Sequence, residues 1–151
     1  MYKIIKKFNE DMSFVGVKYY KGKKFHREGG AAKVSIRENN QSYCEYYIDG
    51  KCKRIGKGPT RVIVTDDRVK MWTLENGDPH SIGDRPSVII YHKYGRIKMW
   101  HKEGILHREN GKPAMVEVFN NNEKDSVYKV VHHYYENDEK YNEKVVYEKI
   151  K

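Results

Sequence analysis

Cysteine is scarce in this chain. Cys44 and Cys52 are the two cysteines among 151 residues, and they flank one turn signal. If Asp49-Gly50 forms a two-residue loop, Cys52 faces Tyr47 rather than Cys44, so that register does not allow a disulfide. We therefore predict two free thiols, as expected of a protein in a reducing compartment.

Signals for export and for membrane insertion are also missing. Residues 1–7 lack the apolar core and the small-residue cleavage site of a signal peptide. No apolar run approaches the roughly 18 residues that a membrane span needs. These absences predict a cytoplasmic protein without a membrane partner.

The motifs of common enzyme classes are absent from the sequence as well. No Ser or Cys lies in a recognisable nucleophile elbow, and no Gly-Lys-Ser/Thr phosphate-binding loop is present. His132 and His133 are adjacent on a predicted strand, so their side chains point to opposite faces and suit neither a shared metal nor a catalytic dyad. We expect no enzyme activity, no catalytic residue, no metal site and no cofactor.

Basic and aromatic residues are plentiful. Lys and Arg number 30 against 21 Asp and Glu, which gives a net charge of +9, and there are 13 tyrosines. The aromatic content argues for a folded chain, because disordered chains are poor in aromatic residues. The charge predicts attraction to anionic partners and is silent about the fold.

The sequence repeats with a period of 27 residues. His26, Lys53, His80 and His107 share this interval, as do Pro59, Pro86 and Pro113. A period in this range is typical of repeat proteins, in which one supersecondary unit recurs. Each copy contains an aromatic strand, a glycine turn and a β-branched returning strand, and Asp49-Gly50 is the strongest hairpin signal.

We therefore predict an all-β fold, a repeat-built antiparallel β-hairpin meander that forms a long twisted sheet. The chain is interpreted as one β-repeat domain, 1–151. Its parts are an N-terminal cap strand (1–13), repeats at about 14–42, 43–68, 69–95 and 96–126, and a C-terminal cap (127–151). The third copy has an extra residue between Trp72 and Gly77, which predicts a bulge or a longer loop. Residues 137–151 fit either a closing strand or a short amphipathic helix.

The fourth copy carries the clearest motif: Trp100, Gly104, His107-Arg108, Gly111 and Pro113-Ala114. This pattern resembles the variant MORN repeats of proteins from large DNA viruses and bacteriophages, an aromatic strand followed by Gly-x-x-His-Arg and Gly-x-Pro-Ala. The resemblance covers about residues 14–119. The second copy has Lys53 in place of His, the third has Ser81 in place of Arg, and the first lacks the proline.

Ordinary MORN repeats have Gly after the His, where this chain has Arg or Ser, so their membrane and dimerisation roles are not carried over. Bacterial proteins with related glycine-turn repeats include antitoxins that neutralise a partner toxin. By analogy of fold, the resemblance implies a protein-binding module of a phage or virus, acting in the host cytoplasm as an inhibitor or antitoxin-like protein.

The repeated His and Pro positions are interpreted as structural. Equivalent positions of successive hairpins lie two strands apart, about 9.5 Å, whereas zinc ligands must converge within about 2.1 Å of one ion. We expect the His and Arg side chains to hydrogen-bond backbone carbonyls of the loop that precedes the returning strand. The residues given this role are His26, His80, His107, Arg108, Pro59, Pro86 and Pro113.

The candidate binding residues form two sets. The basic set should line up along one edge as a basic stripe: Lys23, Lys24, Arg27, Lys51, Lys53, Arg54, Lys57 and Arg61. The aromatic set is Tyr20, Tyr47, Trp72 and Trp100. Trp72 and Trp100 also belong to an aromatic column with one residue per copy, Tyr19, Tyr46, Trp72 and Trp100, which is interpreted mainly as core.

Three hypotheses of function follow. The first is a non-enzymatic module that binds a protein with an acidic surface. The second is a nucleic-acid-binding protein that uses the basic stripe and exposed tyrosines. The third is a structural component of a virion. The sequence leaves the oligomeric state open.

Overall fold

A computed structural model of the chain describes residues 1–37, 41–120, 127–136 and 138–149. Within these ranges the secondary structure is β-strand and turn, and no helix long and apolar enough to cross a membrane occurs. The contacts divide the chain into two compact units, Met1–Asp78 and Pro79–Lys151, so that the division falls inside the third predicted repeat.

The first unit is an antiparallel meander with strand order β1-β2-β4-β5-β8-β9. The short strand β3 pairs with the end of β2, and β6 pairs with β7 in a separate ribbon. Its strands are β1 (Tyr2–Phe8), β2 (Phe14–Lys21), β3 (Lys24–Phe25), β4 (Lys33–Ile36), β5 (Ser42–Glu45), β6 (Tyr47–Ile48), β7 (Lys51–Cys52), β8 (Arg61–Val64) and β9 (Arg68–Met71).

The second unit repeats this plan with strand order β10-β11-β14-β15-β16 and a separate ribbon of β12 and β13. Its strands are β10 (Val88–His92), β11 (Gly95–Met99), β12 (His101–Lys102), β13 (Ile105–Leu106), β14 (Met115–Asn120), β15 (Val127–Glu136) and β16 (Glu139–Lys149). The predicted fold class, an all-β antiparallel meander of hairpins, is confirmed.

The Asp49-Gly50 turn has the predicted geometry. Both residues have positive φ, 49° and 83°, as a type I′ turn requires, and Ile48 pairs with Lys51 across it. Tyr47 therefore faces Cys52, and both cysteines are free thiols. The third copy has the longer loop that its extra residue predicts, closed by a hydrogen bond from the Leu74 N–H to the Asp78 carbonyl.

The helical alternative for the C-terminal segment is wrong, because residues 139–149 form strand β16. Asp138 has φ of 68°, which lets the chain reverse after β15, and β16 then pairs with β15 along almost its whole length. The side chains of Val145, Val146 and Tyr147 alternate between exposed and half-buried, the period of two that a strand imposes. Pairing with β15 therefore makes this segment a strand, whereas its short hydrophobic pattern fits a strand or a helix.

Each copy closes on a small, buried residue at the start of its returning strand. Ala114 is fully buried, and its carbonyl accepts the N–H of Trp100 at 2.8 Å, while the Trp100 carbonyl accepts the N–H of His107 at 3.0 Å. The equivalent bonds in the first two copies join Tyr19 to Ala32 and His26, and Tyr46 to Thr60 and Lys53. The backbone of the column aromatic is thus bonded on both sides within its own copy.

At Gly95 the sheet of the second unit should not tolerate a side chain. Its φ is 152°, and a Cβ built there would lie 1.8 Å from the Val118 carbonyl oxygen on β14. Gly95→Ala should therefore lower the free energy of unfolding by about 2–4 kcal/mol. Gly29→Ala is the matched control, since Gly29 has open space around its Cβ position. Equal denaturant midpoints for the two variants would contradict the β11–β14 register.

Candidate functional site

An arginine lies over the column aromatic in three of the four copies. In the fourth copy the Arg108 guanidinium carbon is 3.8 Å from the centroid of the Trp100 ring, and Nη1 donates to the Pro113 carbonyl at 3.3 Å. The same arrangement joins Arg27 to Tyr19 and the Ala31 carbonyl, and Arg54 to Tyr46 and the Pro59 carbonyl. We call this arrangement the arginine clamp. All three arginines therefore make contacts within the fold. The sequence predicts this structural role for Arg108, whereas it places Arg27 and Arg54 among the candidate binding residues.

The two tryptophans differ in their surroundings. Trp100 is 5% exposed, and its Nε1 donates to the Asp84 carbonyl at 3.1 Å. Trp72 is half-buried, its Nε1 donates to the Lys57 carbonyl at 3.1 Å, and its copy has Ser81 at the arginine position. Trp100 is therefore a core residue, whereas Trp72 presents part of its ring to the solvent.

The repeated histidines connect one copy to the turn of the next. His26 Nδ1 accepts the N–H of Asp49 at 3.1 Å, and His80 Nδ1 accepts the N–H of Glu103 at 3.1 Å. The sequence predicts that these histidines bond to a carbonyl of their own loop. Each bonds instead to a turn amide of the next copy. His107 Nδ1 is buried and has no hydrogen-bond partner among the described residues. Among the described residues, no three His, Cys, Asp or Glu side chains converge on a metal position.

Carboxylates neutralise much of the basic stripe. Glu75 lies 2.5 Å from Lys51 Nζ and 3.7 Å from Lys53 Nζ, and its hydrogen bond to Lys51 lowers the pKa of Glu75. Glu45 accepts from Lys33 at 2.6 Å and lies 3.2 Å from Nε of Arg61. These pairs remove three of the eight predicted basic residues from the set that is free to meet an anion.

Lys23, Lys24 and Lys57 remain as exposed members of the stripe, and none of them forms an ion pair within the part of the chain that the structure describes. Tyr20 and Tyr47 lie beside them but are half-buried. Phe25 stacks on Tyr20 at 4.8 Å between ring centroids and contacts Tyr47 at 5.4 Å. The two tyrosines are therefore packed against a third ring, not splayed toward solvent as a row of stacking platforms.

The sequence predicts the cap strand that became β1, but the lysines of this strand were not among the predicted binding residues. Residues 1–78 contain 17 Lys and Arg against 10 Asp and Glu (net +7), whereas residues 79–151 contain 13 against 11 (net +2). Lys3, Lys6 and Lys7 are all exposed, and none of the three forms an ion pair with a described residue. The sequence signal that could have identified this surface is the mixture of three lysines with Tyr2, Ile4 and Phe8 in the first strand.

A cleft occurs in each of the two units. In the first unit a cleft of about 230 Å³ lies beside β1, with Tyr2, Ile4 and Tyr19 among its lining residues. In the second unit a cleft of about 380 Å³ includes Asp84 and Arg108. Asp84 binds the Arg108 guanidinium at 2.8 Å and Lys112 Nζ at 3.0 Å, so hydrogen bonds from Arg108 and then Lys112 lower the pKa of Asp84. The charged groups of this second cleft thus already satisfy one another.

A serine–histidine pair also occurs in the second unit. Ser87 Oγ lies 2.8 Å from His101 Nδ1, and burial lowers the pKa of His101, which favours its neutral form. Ser87 has no exposed surface, and its Oγ also contacts the Met99 carbonyl at 3.3 Å. A nucleophile must reach its substrate, so this buried pair has the geometry of a structural contact.

The arginine clamp makes a prediction about the tryptophans. Trp100→Ala should cost about 3–5 kcal/mol of unfolding free energy, because it empties the space between Arg108 and the buried returning strand. Trp72→Ala should cost distinctly less, since that ring is half-buried. Chemical denaturation of both variants measures the difference. A cost below about 1 kcal/mol for Trp100→Ala would contradict its placement in the core.

The histidines make a second prediction. His80→Ala leaves the Glu103 N–H without its acceptor, so it should lower the melting temperature more than His107→Ala, which removes an Nδ1 that bonds to no described residue. Differential scanning calorimetry of the two variants measures this. A larger effect of His107→Ala would show that the connection between copies is not what the repeated histidine contributes.

The comparisons with known proteins add no assignment: no family model, no curated protein and no solved structure matches this chain.

Proposed function

We propose that the chain is a non-enzymatic protein-binding module, built from β-hairpin repeats, that engages a partner protein with an acidic and partly apolar surface. The observation that carries the proposal is the distribution of charge and apolar surface in residues 1–78. The lysines of β1, which form no ion pair with a described residue, stand next to exposed large apolar side chains, whereas five of the eight residues of the basic stripe already contact an aromatic ring or a carboxylate of the same chain.

This combination supports a protein partner over a nucleic acid. A nucleic-acid surface needs many free cations and accessible aromatic faces, because phosphate contacts supply most of its affinity. In the stripe, Arg27 and Arg54 lie over their own tyrosines, and Lys51 shares Glu75 with Lys53. Exposed apolar side chains rimmed by charge are typical of protein interaction sites.

The resemblance to variant MORN repeats extends the proposal. It supports a phage or viral protein that acts in the host cytoplasm as an inhibitor, or an antitoxin-like protein, with a virion component as the structural alternative. These attributes come from the resemblance of the fourth copy and its three partial counterparts, and the partner's identity would decide among them.

A capture experiment tests the proposal. The immobilised chain is incubated with extract of the cells in which it acts, with and without nuclease, at about 50 and about 200 mM salt. A protein interface should retain one stoichiometric protein in all four conditions, whereas a site of 6–10 phosphate contacts loses about 10³–10⁵ in affinity over that range. Excess soluble chain should compete for the captured protein, which controls for adsorption to the matrix.

Two results would overturn the proposal. Recovery of nucleic acid alone, lost at the higher salt, would assign the basic stripe to nucleic-acid binding. If no condition yields a captured protein that excess soluble chain displaces, the proposed protein partner is ruled out.

A further inference from the structure

Strand β1 is an edge strand whose outer side is open. Within the described residues it pairs with β2 alone, in antiparallel register from Tyr2 opposite Lys21 to Lys7 opposite Gly16. An open edge presents unpaired N–H and C=O groups that can bind another strand. Natural proteins usually protect such edges, so the chemistry of this one is informative.

The hydrogen-bond alternation identifies the free backbone groups. Gly22 donates its N–H to the Met1 carbonyl at 2.9 Å, which makes Met1 and Gly22 a hydrogen-bonded pair. In an antiparallel ladder such pairs alternate, so residues 3, 5 and 7 also bond to β2. The N–H and C=O groups of Tyr2, Ile4 and Lys6 therefore point away from β2, toward the open side.

The two faces of β1 differ in chemistry. Tyr2, Ile4 and Phe8 lie on one face together with Lys6, and the three apolar residues are 68%, 58% and 48% exposed; the cleft of about 230 Å³ continues this face toward Tyr19. On the other face Lys3 and Lys7 flank Ile5. A strand added at this edge would place alternate side chains beside apolar groups and beside ammonium groups.

The charge of the β1 edge indicates which kind of strand can pair with it. Lys3, Lys6 and Lys7 form no ion pair with any described residue, so two β1 strands side by side would bring both sets of lysines together. Edge strand β16 differs, because its charges are mixed and Lys140 is bound to Glu143. The β1 edge therefore disfavours a second copy of itself and favours a strand that carries carboxylates.

We propose that the open edge of β1 binds an extended segment of a partner protein as an additional strand, and that this segment alternates apolar with acidic residues. The inference rests on the proposed protein-binding function and names the site and the chemistry of its partner. The apolar side chains of the segment lie beside Tyr2, Ile4 and Phe8, and its carboxylates lie beside Lys3 and Lys7. Main-chain hydrogen bonds give the affinity, and the alternation gives the selectivity.

The first test separates the backbone from the charge at one position. Lys6→Pro and Lys6→Ala both remove the ammonium group, but only proline removes the outward N–H, and an edge strand tolerates proline on its solvent side. The probe is a labelled eight-residue peptide of alternating Val and Glu, with capped ends, titrated by fluorescence anisotropy. Lys6→Pro should bind it at least about tenfold more weakly than Lys6→Ala. Equal affinities would overturn the proposal.

A second pair of variants tests the charge and stays informative if Lys6→Pro does not fold. Lys3→Glu with Lys7→Glu should abolish binding of the Val-Glu peptide, whereas Arg68→Glu with Arg85→Glu, which makes the same change in net charge at exposed sites outside β1 and outside the basic stripe, should leave it within about threefold. In the wild-type chain, hydrogen exchange of the Tyr2, Ile4 and Lys6 amides should slow when the peptide binds. Protection confined to other residues, or equal binding of a Val-Lys peptide, would overturn the proposal.

The remaining outcomes separate this inference from the proposed function. A captured partner that binds Lys6→Pro and Lys6→Ala equally would overturn the β1 site and leave the protein-binding function standing. A wild-type chain that captures no protein would remove the function itself. Self-association that Lys6→Pro abolishes, measured by sedimentation, would assign the edge to a second copy and so overturn the proposed partner.

Discussion

The arginine clamp is the interaction on which the repeat depends. A guanidinium lies on the column aromatic and at the same time donates to the carbonyl that precedes the returning strand, so one side chain fixes both a ring and a loop. Cation–π contacts contribute about 0.5–2 kcal/mol, and a hydrogen bond from a charged donor contributes about 1.5–3 kcal/mol. In each of the three copies that have it, the clamp joins residues of a single hairpin. A contact that recurs with the repeat has to be made within the repeating unit.

The clamp also explains why the charge of the chain gives little information about its partner. Arg27, Arg54 and Arg108 count toward the net charge of +9, but each of them is committed to an aromatic ring of its own copy. Lys51 and Lys53 are further compensated by Glu75. Among the described residues, Lys3, Lys6 and Lys7 of β1 form no ion pair, and this distribution moves the candidate binding surface from the repeats to the edge of the first unit.

The fold could be predicted from the sequence because its signals are local. Asp49-Gly50 demands positive φ at two consecutive residues, and the 27-residue period places the equivalent turns and returning strands. The ends of the array could not be predicted in the same way. Residues 139–149 form a strand because β15 lies beside them, and a pattern with Tyr141, Val145 and Tyr147 does not contain that information.

The site was harder to predict because it depends on pairing between distant residues. Glu75 meets Lys51 across 24 positions, and His80 meets the Glu103 amide across 23, so neither contact is visible in a short window of sequence. The sequence predicts that His26 and His80 bond to backbone carbonyls, whereas each accepts a backbone N–H of the next turn, since an imidazole can accept as well as donate. The β1 lysines were overlooked because they lie outside the repeats.

The measurement that tests this account most directly is a double-mutant cycle between Arg108 and Trp100. Arg108→Gln, Trp100→Leu and the double variant are unfolded by denaturant, and the coupling free energy is taken from the four stabilities. The arginine clamp predicts a favourable coupling of about 1 kcal/mol or more. Effects that add to within about 0.3 kcal/mol would show that the guanidinium and the indole are merely adjacent, and the central claim would fail.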